Sequence, residues 1–127
     1  VDLGPDLLAR VTDQELRKGD VLGVARLAGI AATKRTPDLI PLSHPLAIVH
    51  AAVEFETDAD AGTVTAVCTV AARDRTGVEM EAMTGATVAA LTIYDMCKGE
   101  HRGISIGPVK LRAKSGGRSG TYVAGED

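Results

Sequence analysis

Aromatic side chains are nearly absent from this 127-residue sequence, which has no tryptophan, one phenylalanine and two tyrosines. Rings therefore cannot fill its interior. With 45% hydrophobic residues, the core must come from Val, Leu, Ile, Ala and Met packed closely, and that apolar content excludes a disordered chain. Long apolar runs are also missing. Nothing approaches the roughly 18 residues that would cross a bilayer, so no membrane partner is expected. Val1-Asp2-Leu3-Gly4-Pro5 lacks the charged-then-apolar pattern of a secretory signal, and the chain reads as cytoplasmic. An excess of one charge is missing too: 14 basic and 17 acidic residues leave a net charge of −3. No global field draws such a chain to nucleic acid, so any anion site must be local. Cysteine is scarce, and Cys68 and Cys97 lie far apart with no CxxC-type spacing. Neither a disulfide framework nor a zinc site is signalled, and both thiols read as small core residues. His44, His50 and His101 make no ligand-spacing motif, so no metal is expected.

The length predicts one domain over residues 1–127, and a start without Met reads as a short or incomplete N-terminal arm. Leu7 to Leu16 is weakly helical. A second helix, capped by Gly19 or Asp20, should carry Val21, Leu22, Ala25, Leu27, Ala28 and Ala31 at helical spacing and end near Arg35-Thr36, because Pro37, Pro41 and Pro45 follow. Pro37 to Pro45 reads as a stiff connector. Leu46 to Glu56 and Thr63 to Ala72 alternate as strands around the turn residues Asp58 to Gly62, which predicts a hairpin. Arg73 to Gly77 is a polar loop. Glu79 to Lys98 is a helix stopped by Gly99, and Ile104 to Lys114 a strand with Val109, Leu111 and Ala113 inward and Lys110, Arg112 and Lys114 outward. The tail from Ser115 to Gly120 is glycine-rich and reads as a mobile loop. Paired strands with segregated helices favour an α+β fold, a ferredoxin-like antiparallel sheet with helices packed on one face.

Several residues are placed for chemistry. Lys18 precedes a helix start whose amides can bind an anion, although a lysine there is also an ordinary surface residue. Leu42-Ser43-His44-Pro45 lies in a proline-restricted loop that holds the hydroxyl and imidazole in a narrow range, as recognition requires. Glu79 and Glu81 flank Met80 and sit about 200° apart on a helix, so one of them is expected to face a pocket. Asp95 and Lys98 stand at i, i+3, within reach of each other. The plain reading is an exposed ion pair; the apolar neighbours Tyr94, Met96 and Cys97 favour instead a partly desolvated lysine with lowered proton affinity, suited to acid/base work. Lys114 leads into the Ser115 to Gly120 loop, whose accessible amides suit an anion, though it is not a Walker A loop. A straight helix separates Glu81 from Asp95 by roughly 21 Å, so both ends serve one site only across a subunit interface or along an extended ligand.

The strings Lys18-Gly-Asp-Val, Ala25-Arg-Leu-Ala-Gly-Ile, Lys34-Arg-Thr-Pro-Asp-Leu-Ile-Pro-Leu-Ser-His-Pro-Leu46, Thr76-Gly-Val-Glu-Met-Glu-Ala82, Ala89-Ala-Leu-Thr-Ile-Tyr-Asp-Met-Cys-Lys98 and Lys114-Ser-Gly-Gly-Arg-Ser-Gly120 together resemble the MoaC family, the cyclic pyranopterin monophosphate synthases of molybdenum cofactor biosynthesis. The likeness runs from about Lys18 to Gly120. It implies a ferredoxin-like subunit in a homohexamer, a trimer of dimers, with sites at subunit interfaces. The implied enzyme is a lyase. It converts the GTP-derived 3′,8-cyclo-7,8-dihydroguanosine triphosphate to a pyranopterin with a cyclic phosphate and releases pyrophosphate. By motif, Asp95, Lys98 and Lys18 are the implied catalytic residues, and Leu42, Ser43, His44, Met80, Glu81 and Lys114 line the substrate. No tightly bound cofactor is implied, although Mg²⁺ can accompany a triphosphate. Two departures stand out: of the family's longer N-terminal arm only Val1-Asp2 is matched, and Ser43 stands where cysteine is common. Two rival readings remain, a nucleotide sensor without catalysis and a purely structural oligomer.

Overall fold

In the computed structural model, which describes residues 1–73 and 76–125, the elements follow from a few local signals. Pro5 and Asp6 open α1 (Pro5–Thr12), a favourable first turn, and Leu7, Leu8 and Val11 bury its inner face. The helix stops four residues before the expected Leu16 because Gln14 adopts the left-handed φ of 55°. Leu16 is buried from the following turn instead. Asp20 caps α2 (Val21–Lys34), its Oδ1 accepting from the Gly23 amide at 3.0 Å. Pro37 does not begin a connector. It sits in the first turn of a short α3 (Thr36–Leu39), where a missing amide hydrogen costs nothing, and the stiff segment begins after it. Buried Thr36 fixes this junction by donating from Oγ1 to the carbonyls of Ala32 and Thr33, at 3.1 and 3.0 Å.

Strands β1 (Ile48–Asp58) and β2 (Thr63–Ala72) form an antiparallel hairpin. Asp58 Oδ1 accepts from the Asp60 and Ala61 amides and shapes its turn. The register pairs Val53 with Cys68 and Phe55 with Ala66, and those side chains face the helices. On them lie α2 and α4 (Glu79–Cys97). The two helices meet at glycines: a Cβ on Gly29 would lie 2.9 Å from the Gly85 carbonyl oxygen, and one on Gly85 would lie 2.6 Å from Cys68 Sγ. Only hydrogen-sized side chains allow both helices to share that patch of sheet.

The expected strand from Ile104 to Lys114 is mostly not a strand. Gly107 and Pro108 interrupt it, the latter having no amide to donate. Ile104 is buried and Ser105 forms a single bridge to Asp2, which also bridges Thr63 and so ties the N-terminus to the hairpin edge. Only Ala113–Lys114 (β3) pairs, and its partner is Tyr122–Val123 (β4) in the tail expected to be mobile. Val109 and Ala113, expected inward, are exposed. Arg112 does point outward, and it holds Glu56 through two hydrogen bonds of 2.8 and 3.1 Å. The α+β class is as expected, an antiparallel hairpin sheet with helices on one face. Among the described residues no helix is long and apolar enough to cross a membrane.

Candidate active site

Helix α4 is the spine of the candidate site, with candidate side chains gathered at both ends. At its last turn Lys98 Nζ donates to Asp95 Oδ1 at 2.7 Å, and Lys18 arrives from the α1–α2 connection to donate to the Asp95 backbone carbonyl at 3.4 Å. The sequence therefore named three groups that the fold brings together. Their electrostatics differ from expectation. Cys97 is buried and Tyr94 and Met96 are half-buried against the core, which turns Asp95 and Lys98 outward, with side chains 63% and 55% exposed. The Lys98 hydrogen bond and charge hold the Asp95 carboxyl below the usual carboxylate range, with a smaller contribution from Lys18. The same bond pushes the Lys98 ammonium up, not down, so the lysine is not desolvated in the chain by itself. At the start of α2 the Asp20 carboxylate already accepts from the Gly23 amide, and Lys18 turns instead to the Asp95 carbonyl. What this end offers is a carboxylate flanked by two cations, a set able to hold and move a proton beside a negatively charged ligand.

At the opposite end, Leu42, Ser43 and His44 face Met80 and Glu81 across a cavity of about 260 Å³, which Ile40, Leu46, Thr76, Gly77 and Glu79 complete. The loop stands clear of the body, with Leu42 97% exposed. Glu81 is only 3% exposed and also walls an adjoining cavity of about 210 Å³, lined by Thr33, Lys34, Pro37 and Pro45 among others. One of the two glutamates was expected to face a pocket; both do, because the cavity wraps around the first turn of α4. Lys114 lies near this end as well. Its ammonium donates to Ser119 Oγ at 2.7 Å, and the loop between them rests on the cavity rim, where a Cβ on Gly117 would stand 3.0 Å from the Gly77 amide. Thr76 and Gly77 are lining residues that the spacing argument passed over, although their place just before Glu79 and Glu81 was a usable signal.

The other candidates are quiet. Burial pushes the Cys68 thiol up to about 11 and raises that of Cys97, so neither is a ready nucleophile. His50 is exposed on β1, and His101 Nδ1 only accepts from the nearby Gly103 amide. Among the described residues no group of three or more His, Cys, Asp or Glu is placed to hold a metal ion. The two ends of α4 stay apart by roughly 21 Å from Glu81 to Asp95, at about 1.5 Å per residue.

Fold and side chains together define a class: an α+β protein equipped for acid/base chemistry at one helix end and for cradling a small molecule at the other. The MoaC family pattern matches residues 1–117, and the chain belongs to that family. It is 63% identical over 122 residues to the cyclic pyranopterin monophosphate synthase of Pelobacter propionicus and 65% identical over 122 residues to that of Geobacter sulfurreducens, covering in both cases 96% of this chain and 76% of the relative. A cyclic pyranopterin monophosphate synthase of Geotalea uraniireducens is 62% identical over 127 residues, 100% of this chain and 79% of the relative. The family match begins at residue 1, so α1 and the bridged N-terminal segment belong to the shared fold along with the region from Lys18 onward.

Proposed function

We propose that this chain is a cyclic pyranopterin monophosphate synthase acting in molybdenum cofactor biosynthesis in the cytoplasm. Its substrate is the GTP-derived 3′,8-cyclo-7,8-dihydroguanosine triphosphate. The observation that carries the proposal is the meeting of Lys18 with the Asp95–Lys98 pair in a chain 62–65% identical to three curated synthases. Asp95 exchanges protons during ring rearrangement, while Lys98 and Lys18 hold its charge and that of the ligand. Leu42, Ser43, His44, Met80 and Glu81 seat the ring system. Lys114 faces the phosphates as a sugar oxygen bonds to the α-phosphorus and pyrophosphate leaves. A substrate with about four negative charges explains why an acidic protein concentrates lysines here. No tightly bound cofactor is part of this reading, although Mg²⁺ can accompany the triphosphate.

The same reading makes the molecule a homohexamer, a trimer of dimers, in which each site joins the Asp95 end of one α4 to the His44 end of another. Support comes from the separation of the two ends and from the large apolar side chains Leu27, Leu42 and Leu91 standing in solvent on the single chain. Single-turnover incubation of the purified protein with the cyclised GTP intermediate, followed by oxidation to a fluorescent pterin, tests the activity. Stoichiometric pterin is expected. Recovery of the intermediate unchanged overturns the synthase reading in favour of a sensor.

A further inference from the structure

Removing a carboxylate oxygen from water without replacing its hydrogen bonds is unfavourable, and folded proteins seldom do it unless a ligand supplies the missing donor. Glu79 Oε2 is such an atom: it is shut off from solvent and accepts from no donor among the described residues. Its seat depends on Gly77, where a Cβ would collide with Oε2 and stand 3.1 Å from the carboxyl carbon. The residue lines the same cavity as Ser43, His44, Met80 and Glu81. A carboxylate held by its surroundings presents two acceptors side by side, the complement of two parallel N–H donors. The proposed substrate has one edge of that kind, the ring N1–H beside the exocyclic 2-amino group of its guanine-derived base; its phosphates are anionic and are repelled by the same group.

We propose that Glu79 is a specificity-determining residue that accepts hydrogen bonds from this N1–H and 2-amino edge and so orients the base within the cavity. The inference rests on the proposed function, and the experiment separates the two. GTP and ITP, which differ only in the 2-amino group, are titrated calorimetrically into the intact protein, and the same preparation is assayed on the cyclised intermediate. Wild-type protein is expected to bind GTP about tenfold or more tightly than ITP, since a site built around a donor rejects the analogue that lacks it. Glu79→Gln narrows that gap by weakening GTP more than ITP. Gly77→Ala, which keeps the carboxylate but drives it from its seat, narrows it in the same sense. Equal binding of GTP and ITP by the wild-type protein overturns the inference without recourse to any variant, as does full discrimination retained by Glu79→Gln. Wild-type protein that converts the intermediate without discriminating removes only the role of Glu79. Protein that discriminates yet returns the intermediate unchanged removes the synthase reading and leaves Glu79 in place.

Discussion

Asp95 and Lys98 depart from their ordinary proton affinities in opposite directions because each stabilises the charged form of the other. The Asp95 contribution to stability is present above the usual aspartate pKa of about 3.9 and is lost as pH falls through the lowered folded value. The Lys98 contribution is present below about 10.4 and is lost as pH rises through the raised one. The pair therefore acts between roughly pH 4 and 10. In Lys98→Met, carboxyl NMR titration should find Asp95 moved back up toward the ordinary value, and the difference in melting temperature from wild type should change between neutral pH and strong acid by the contribution of the pair. Asp95→Asn should keep the fold and lower turnover by about 10²- to 10⁴-fold, the usual worth of a positioned proton-transfer group; unchanged single-turnover rates would remove Asp95 from the mechanism. The sequence made the pairing of these residues legible, because i, i+3 spacing on a helix settles proximity. It misjudged their solvation, because the direction a helix turns is decided by what packs behind it. Here that is the buried Cys97 and the half-buried Tyr94.

Elements defined by nearby residues were readable and those completed by distant ones were not. Strand β2 runs over the expected Thr63–Ala72, since alternation and an aspartate-shaped turn are both local signals. The third strand failed as a prediction because its pairing is with Tyr122–Val123, beyond a loop, and because Gly107-Pro108 outweighed the alternation around it. The crossing of α2 over α4 was also hidden, since neither Gly29 nor Gly85 announces that the other faces it. That crossing makes a sharp prediction. A Cβ on Gly85 has no room against Cys68 Sγ at 2.6 Å or Thr33 Cγ2 at 2.7 Å, so Gly85→Ala should cost about 1–3 kcal/mol in urea unfolding, the range for an overpacked core. Adding Cys68→Ala should recover part of that loss, because the added methyl then occupies space the sulfur leaves. A Gly85→Ala protein as stable as wild type would mean that the helices do not approach this closely.

At the scale of the whole molecule, the two candidate clusters lie at opposite ends of one helix, and a 19-residue helix does not bend to join them. The separation could be reckoned from the sequence by counting residues; the exposure of Leu27 on α2 and Leu91 on α4 could not, because such leucines look like core leucines until the fold is known. If each catalytic unit takes one end from each of two chains, defects at different ends are complementary. Asp95→Asn and His44→Ala homo-oligomers should each be inactive. Co-expressed at equal levels, they assemble mixed interfaces in which about a quarter of the sites draw an intact Asp95 end from one chain and an intact His44 end from another. Specific activity in the mixture should rise toward about a quarter of the wild-type value, while mixing the same proteins after purification should do nothing unless subunits exchange. If every chain instead carried a complete site, each would hold one defect whatever its neighbours, and co-expression would leave activity at the level of the inactive parents.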